Sequence, residues 1–448
     1  MAAKPIRLWL GTAVAIAFTL FVIVFGRATP REYPKRIPVR FWHRWQGDWE
    51  KQVKKIVDMY NRSQDRFEVV PVSLPGEGSD AKFILGVTGG DPPDLMSMGS
   101  GSVPNLAANG FLSDLGAMMT PPEKDQFFNH SYPAIRDIGM FRGKVYGMTI
   151  GADMMALYVN AQQLRDAGYD PDHFPKTLEE VEEMGMKLNQ RDSKGNLTRL
   201  GFLLSDIGFV SHLFGGGFYV NEDGSLKLNT PENVRALESI VDYRKRIGLD
   251  NVIRFQAGLN DIEGAASWAF MHGDLSITYD GQWRVEELRK FKPDLDYRVY
   301  PVPPPKDGGV PLGGLVGGNY MVVPISARHK EGAWEFLKFW SGLDNPDRAA
   351  TCYNVGGWLP YSPSVANSAT FQRWLKNDKQ FGAFLEILAS PNCKAPPPIA
   401  NLAFLNDLIA QAEDEAEQGS KSPKQALKEL EQKFVKERDK RRALGYDE

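Results

Sequence analysis

The sequence predicts an α/β protein built from two lobes. Residues 39–98 alternate strand-like and helix-like patterns in the order β-α-β-α-β, which is typical of a parallel sheet covered by helices. The chain has 448 residues, and a domain usually holds about 100–200, so two domains or one large bilobal unit are expected. Its hydrophobic content of 42% is sufficient for large buried cores.

The first strand and the first helix have simple patterns. "VRFW" (39–42) is rich in β-forming side chains and predicts a strand. "GDWEKQVKKIVDMYNRS" (47–63) has apolar residues at helical spacing, which predicts a helix with one buried face. These residues are Trp49, Val53, Ile56, Val57 and Tyr60. Asp48 is expected to be the N-cap of this helix.

Two further strands and a helix complete the opening unit. "FEVVPVSL" (67–74) predicts the second strand, and "SDAKFILGVTGG" (79–90) predicts a helix that stops at Gly89 and Gly90. "DPPDLMSM" (91–98) leads into the third strand. Strands separated by helices in this way are expected to be parallel.

Later helices are predicted mainly from signals at their N-termini. A Ser or Thr side chain can accept a hydrogen bond from the first turn, and a Glu or Gln three residues later can complete a capping box. Pro is favoured at the first helical position. The signals are Thr177 with Glu180, Thr230 before Pro231, and Ser422 with Pro423 and Gln425. In "EGAWEFLKFW" (331–340), Trp334, Leu337 and Trp340 are expected to face a core.

Residues 1–35 predict export from the cytoplasm. Lys4 and Arg7 precede an uncharged apolar run over residues 8–26, the pattern of an export signal. The run is also about as long as a membrane span, so both a cleaved signal peptide and an N-terminal membrane anchor remain open. Either way, the residues from about 36 onward are expected to lie outside the cytoplasm, in a periplasmic or other extracytoplasmic space.

Composition and missing motifs exclude several classes of function. The formal net charge of −3 argues against nucleic-acid binding, which usually requires a basic surface. The sequence has no phosphate-binding P-loop, no paired histidines at metal-binding spacing and no nucleophile elbow. No enzymatic activity, cofactor or metal is therefore expected. The two cysteines, Cys352 and Cys393, leave open a disulfide or two buried thiols.

Eight stretches, in order along the chain, carry a family resemblance. They include "FILGVTGGDPPDLMSM" (83–98), "GKVYGMTIGADMMALYVNAQQLRDAGYD" (143–170), "ASWAFMHGDLSITYDGQW" (266–283) and "VGGWLPYSPSV" (355–365). Each motif alone is weak, but their common order is specific. The chain resembles the extracellular solute-binding proteins of ATP-driven (ABC) importers, in particular the family that binds sugars and oligosaccharides.

This resemblance implies a bilobal periplasmic-binding-protein fold, with two α/β lobes joined by crossover strands and a ligand cleft between them. The N-lobe is expected to comprise residues 36–150 plus 276–325, and the C-lobe 151–275 plus 326–448. The chain would cross between the lobes near 147–151, 276–280 and 323–326. Such a protein would act as a monomer, close on a carbohydrate by hinge motion and deliver it to ABC permease subunits in the inner membrane.

The resemblance also points to aromatic and glycine-rich positions in the cleft. Trp283 closes the "GQW" element, where an indole can stack on the apolar face of a sugar ring; the alternative is a Trp that plugs the end of a strand. Trp358 matches a position where an aromatic ring often covers the ligand. Gly318 and Asn319 match the family's Gly-Gly loop.

Further candidates lie where predicted strands end, because α/β sheets hold ligands at that edge. Arg44 and Trp45 follow the first strand, and Ser100 follows the third. Asp153 lies at the first crossover, and Asp280 could accept hydrogen bonds from sugar hydroxyls or simply form an Asp-Gly turn.

Two alternatives to sugar import remain open. The same fold could serve as a membrane-tethered sensor or interaction protein. It could also bind a non-sugar solute such as a phosphorylated polyol, which would require an arginine cluster in the cleft. Arg44, Arg142 and Arg284 are available for such a cluster, but the sequence does not show whether they converge.

Overall fold

The structure is a computed structural model that describes residues 31–74, 76, 78–204, 206–218, 226–259 and 267–445. Within these ranges the strands are β1 (Ile37–His43), β2 (Phe67–Ser73), β3 (Leu95–Gly99), β4 (Met140–Phe141), β5 (Lys144–Val145), β6 (Met148–Asp153), β7 (Met155–Asn160), β8 (Gln190–Arg191), β9 (Leu197–Leu203), β10 (Leu275–Gly281), β11 (Tyr297–Tyr300), β12 (Gly314–Leu315), β13 (Gly317–Val322) and β14 (Cys393–Lys394).

The helices of the same ranges surround these strands. They are α1 (Gly47–Ser63), α2 (Ser79–Thr88), α3 (Val103–Ala108), α4 (Pro121–His130), α5 (Pro133–Ile138), α6 (Ala161–Asp166), α7 (Leu178–Leu188), α8 (Ile207–Leu213), α9 (Pro231–Ile247), α10 (Leu249–Leu259), α11 (Ala269–His272), α12 (Trp283–Phe291), α13 (Lys330–Ser341), α14 (Pro346–Gly356), α15 (Pro363–Ala366), α16 (Ala369–Leu375), α17 (Gly382–Ala389), α18 (Leu402–Glu417) and α19 (Pro423–Ala443).

Two sheets of five strands each organise the described chain. The first has the order β2-β1-β3-β13-β6, and the second has the order β11-β7-β10-β9-β8. In the first sheet β1 is parallel to both β2 and β3, which confirms the predicted β-α-β-α-β unit, whereas β13 is antiparallel to β3 and β6. The buried apolar residues form two clusters: one surrounds the first sheet and extends to Tyr158 and Val299 on the second, and the other packs on the second sheet. The predicted α/β fold with two lobes is confirmed.

Helix α1 has the predicted bounds and the predicted buried face, apart from its first turn. Val53, Ile56, Val57 and Tyr60 are buried, whereas Trp49 is only half-buried. The expectation that Asp48 caps this helix is wrong. Gln46 holds the N-cap position and makes no side-chain cap, while the Asp48 carboxylate forms ion pairs with two lysine ammonium groups instead.

The predicted helix starts are confirmed, with one exception in detail. Thr177 and Glu180 form the complete capping box, and the Thr230 side chain accepts a hydrogen bond from the first turn of α9. Ser422 caps α19, but the Gln425 amide donates to Glu429 instead of returning to the N-cap. A carboxylate one turn ahead competes for that amide, so only half of the predicted box forms.

The first crossover lies close to its predicted place. The chain leaves the first sheet at the end of β6 and enters the second with β7, and Met154 is the residue between them. The crossing predicted at 276–280 is wrong, because β10 pairs with β7 and β9 in the second sheet. The return to the first sheet occurs between β11 and β13.

The crossing predicted at 323–326 is also wrong. After β13 the chain stays on the first lobe, where Gly332 of α13 packs directly against Val39 and Phe67. The chain passes back before β14, because the Gln380 side chain hydrogen-bonds with the backbone of β11 and the Phe384 ring of α17 lies 6.1 Å from the Tyr158 ring of β7. Residues 276–300 therefore belong to the second lobe and residues 326–375 to the first, which reverses the predicted division at both places. Sheet membership depends on long-range pairing, which local sequence patterns do not specify.

The described cysteines are separate thiols. Cys352 and Cys393 are both buried and free, and burial raises the pKa of each thiol to about 12. Among the described residues no helix is long and apolar enough to cross a membrane. The apolar run at residues 8–26 lies outside the described residues.

Candidate functional site

The ends of strands β1, β3, β6 and β13 gather one group of predicted residues at the edge of the first sheet. Gly99 and Gly317 flank this edge, because Asn319 pairs with Gly99 and Gly317 pairs with Asp153. A Cβ atom placed on Gly99 would lie 3.2 Å from Arg44 Nη2, and one on Gly317 would lie 3.7 Å from Ser100 Oγ. The structure therefore brings Arg44, Ser100, Asp153, Gly318 and Asn319 together at one edge of the sheet, and ligand binding by them stays a prediction.

Gly318 is required at this edge for a backbone reason. Its φ is +133°, and a Cβ atom there would lie 2.5 Å from the Gly151 carbonyl oxygen. Only glycine tolerates this conformation and this close approach. Gly318 thus lets β13 pack tightly against β6 and hold Asp153 in place.

Asp153 is the most perturbed acid of this group. Withdrawal from solvent raises the pKa of its carboxyl to about 6, although the Gln282 hydrogen bond and the Arg44 charge act in the opposite direction. Arg44 Nε is buried without a hydrogen-bond partner in the structure. The pair thus offers one carboxylate and one guanidinium to a polar ligand.

Gln282, which was not predicted, joins this edge to the second lobe. Its Nε2 donates to Asp153 Oδ1 at 2.9 Å, and its Oε1 accepts from the Met154 N–H at 2.9 Å. Its own N–H donates to the Met154 carbonyl at 3.1 Å. The side chain is fully buried, so Gln282 fixes the end of β10 against the crossover.

A charged cluster follows the end of β10. Arg284 Nε donates to Asp280 at 2.9 Å and Arg284 Nη1 donates to Glu287 at 2.6 Å, while its guanidinium lies 4.6 Å from the centre of the Trp268 ring. Burial raises the pKa of both carboxyl groups, and the Arg284 charge opposes that rise. Asp280 also accepts from the Gly281 N–H. Asp280 is therefore already engaged by its own turn and by Arg284.

Trp283 begins helix α12 and is partly buried. A Cβ atom on Gly281 would lie 2.1 Å from its ring, so the indole lies over the end of its own strand. That position closes the strand end and leaves part of the ring exposed. Stacking of Trp283 on a sugar stays a prediction.

Four tryptophans of the first lobe form a packed cluster. The Trp358 ring lies 5.4 Å from Trp45, 6.0 Å from Trp49 and 5.5 Å from Trp340, measured between ring centres. Trp358 is only 3% exposed, which corrects the expectation that this ring itself covers the ligand. The Trp358 ring packs against the rings of Trp45 and Trp49, and those two rings are partly exposed.

An aromatic-lined cavity of about 390 Å³, the α1–α12 cavity, lies between the lobes. Its wall combines residues of α1 and α14 from the first lobe with residues of α12 from the second. An ion pair between Asp48 and Lys290 crosses it. The lining residues are Gln46, Asp48, Trp49, Gln52, Glu286, Glu287, Lys290, Phe291, Val355 and Gly356.

A second interlobe cavity, of about 310 Å³, lies between α2 and α3 of the first lobe and α18 of the second. Its polar groups are uncharged except for Asp80, which accepts a hydrogen bond from Ser102. The described residues contain no group of three or more His, Cys, Asp or Glu side chains that could hold a metal ion.

Several residues of this site were not predicted from the sequence to belong to it. Gln282 lies in the same "GQW" element as Trp283, but nothing in that element indicates that the Gln282 side chain contacts the crossover. Trp49 was assigned to the buried face of a helix. Glu287 and Phe291 carry no local signal, because only the approach of the two lobes makes them part of one cavity.

Comparisons with known proteins agree with this architecture. The family model described as bacterial extracellular solute-binding protein matches residues 55–379. The sn-glycerol-3-phosphate-binding periplasmic protein of Salmonella paratyphi A is 23% identical over 442 residues, covering 93% of this chain and 94% of that relative.

Solved structures of other proteins share this architecture. A mannotriose-bound protein, CpMnBP1, has a TM-score of 0.75 at 24% identity and covers 88% of this chain and 99% of its own. The cyclic α-maltosyl-1,6-maltose binding protein of Arthrobacter globiformis has a TM-score of 0.73 at 23% identity, with coverage of 89% and 97%. These likenesses show that the chain has the fold of these proteins.

Proposed function

The chain belongs to the bacterial extracellular solute-binding proteins, and from that premise we propose that it captures an uncharged sugar or oligosaccharide for an ABC importer. The ligand binds between the lobes, the lobes close on it, and the closed protein delivers it to permease subunits in the membrane. Hinge closure around a ligand is how periplasmic binding proteins work. The protein has no catalytic role in this process and acts in the periplasm.

The composition of the α1–α12 cavity carries the proposal. It combines an aromatic ring from each lobe with amide and carboxylate groups. Aromatic faces pack against the C–H face of a sugar, and amides and carboxylates bond its hydroxyls. A volume of about 390 Å³ lies within the usual range of ligand pockets, about 300–1,000 Å³.

The charges around the cleft favour a neutral ligand over a phosphorylated one. Asp48, Glu286 and Glu287 line the α1–α12 cavity, and Lys290 is the one cation in its described lining. Arg284 is already bound by two carboxylates. A phosphate would need guanidinium groups free to form paired hydrogen bonds.

The three arginines considered for a phosphate site do not converge. Arg142 lies on the β4–β5 turn and lines a separate cavity with Asp137 and Lys394. Arg44 alone remains at the strand ends beside Asp153. The relatives named for sn-glycerol 3-phosphate nevertheless make that ester the specific competitor that a binding test must include.

Thermal unfolding of the full chain tests the proposal. The panel contains glucose, maltose, maltotriose, mannose, mannobiose, mannotriose and sn-glycerol 3-phosphate. A ligand at a hundredfold excess over its dissociation constant stabilises the folded state by about 2.7 kcal/mol. We expect a shift with at least one saccharide series, and a smaller shift with that series in Trp283→Ala.

Other outcomes separate the alternatives. A shift with glycerol phosphate and none with any saccharide would keep the fold and refute sugar binding. The same shift in wild type and Trp283→Ala would leave sugar binding standing and place Trp283 in a structural role at the end of β10.

A further inference from the structure

We propose that Trp49 and Phe291 form an outer subsite, which binds a terminal unit of a linear oligosaccharide between the two lobes. The inference rests on the proposed function and adds the length and the direction of the ligand. Neither residue lies at a strand end, where ligands of α/β sheets are expected. Both line the α1–α12 cavity.

The cavity lies beside the strand-end group and does not overlap it. None of the residues gathered at the edge of the first sheet lines it. The chain connects the two places, because Arg44 and Trp45 directly precede Gln46 in the cavity wall. Side chains connect them too: Glu287 binds Arg284, Arg284 binds Asp280, and the same turn carries Gln282, which bonds to Asp153. A ligand that reaches both places must be a chain of units.

Phe291 supplies the aromatic wall of the α1–α12 cavity on the second lobe. It is 39% exposed at the end of α12, and the Lys290 ammonium lies 4.8 Å from the centre of its ring. Ligand pockets are lined mainly by hydrophobic and aromatic side chains with a few polar groups among them. Here the ring faces a cavity that the other lobe completes.

Trp49 supplies the opposite wall in a fixed orientation. Its ring stacks on Trp358 at 6.0 Å with an angle of 29° between the ring planes. Trp358 is itself held by Trp45 and Trp340. A ring whose back is packed loses little conformational freedom when its other face meets a ligand.

Polar groups for hydroxyl recognition complete the subsite. Gln46, the N-cap residue of α1, is exposed, Gln52 within α1 is partly exposed, and both line the cavity. Each amide can donate and accept hydrogen bonds. This combination of two rings with amides is suited to a pyranose unit, and the one cation of the described lining, Lys290, is already paired with Asp48.

Isothermal titration of the full chain tests the subsite by ligand length. The probes are glucose, maltose and maltotriose, and the matching mannose series. The variants are Phe291→Ala and Gln52→Ala, with Ile325→Ala as control because Ile325 is an exposed apolar residue, 50% accessible, outside the cavity. Phe291→Ala should lower the affinity for the longest bound saccharide about tenfold, which is about 1.4 kcal/mol. The affinity for the monosaccharide should change less than about twofold.

Each contrary result has a distinct meaning. Equal weakening at every length, or no weakening at any length, would overturn the outer subsite while sugar binding stands. Wild-type protein that binds no saccharide of either series would refute the proposed function and the subsite together. An equal loss in Ile325→Ala would assign the effect to general destabilisation and overturn the subsite.

Discussion

The Gln282 side chain donates a 2.9 Å hydrogen bond to Asp153 and accepts one from the backbone of Met154. These bonds join the end of strand β10 in the second lobe to the crossover that leaves the first. The Asp280–Trp283 turn is therefore held against the hinge itself. A movement of the hinge must carry this turn with it or break buried hydrogen bonds.

Replacing Gln282 by alanine should destabilise the protein by about 2–4 kcal/mol, because two buried groups, the Met154 N–H and an Asp153 oxygen, lose their partner. Urea unfolding measures the change. Gln411→Ala is the control, since Gln411 is exposed on α18, and should stay within about 0.5 kcal/mol of wild type. Equal effects in the two variants would contradict the role given to Gln282.

The raised pKa of Asp153 predicts a stability that depends on pH. Its ordinary pKa is about 3.9, and in the folded protein it is about 6. The folded state therefore keeps the proton between these values, and this group's contribution to stability is complete below about pH 4 and lost as the pH rises through about 6.

An asparagine cannot ionise, so the Asp153→Asn variant should not lose this part of its stability as the pH rises. Relative to wild type, the variant should gain up to about 2 kcal/mol of unfolding free energy between about pH 4 and pH 8, after allowance for partial exposure of the carboxyl. Urea unfolding at several pH values measures the difference. A difference that is constant over this range would show that Asp153 titrates normally.

Glu287→Gln should shift ligand preference toward phosphate esters. The substitution removes one of the two carboxylates that occupy Arg284 and leaves a guanidinium edge for an anion. We expect the affinity for sn-glycerol 3-phosphate, relative to that for a bound saccharide, to rise about tenfold in calorimetric titration. Glu183→Gln, an exposed partner of Arg246 in the same lobe, is the control. An unchanged ratio of the two affinities would argue against the interpretation that Glu287 disfavours phosphorylated ligands by occupying Arg284.

The ion pair between Asp48 and Lys290 should contribute little to affinity. Both side chains are 49% exposed, and such pairs are worth about 0–1 kcal/mol. Lys290→Ala should weaken saccharide binding by about fivefold at most, and the effect should vanish near 1 M salt, where the screening length is about 3 Å. Lys51→Ala removes the other partner of Asp48 within the same helix and is the control. A loss that persists in salt would indicate direct ligand contact by Lys290.

Local patterns in the sequence were enough for the elements that depend on short-range physics. The apolar spacing of α1 and the Thr177 capping box were both predicted, because helix faces and caps are made by residues three or four apart. Arg44 and Ser100 were predicted to lie together from one rule, that parallel strands end at a common edge, whereas Asp153 was predicted at the first crossover.

The tertiary structure alone decided which lobe each strand joins and which side chains meet between the lobes. Strand β10 was assigned to the wrong lobe, because its pattern indicates a strand without specifying its neighbours. Trp358 is buried by three other tryptophans, whereas Trp49 and Phe291, 242 positions apart in the sequence, line one cavity. Such contacts arise from packing between distant segments, and no pattern within either segment encodes them.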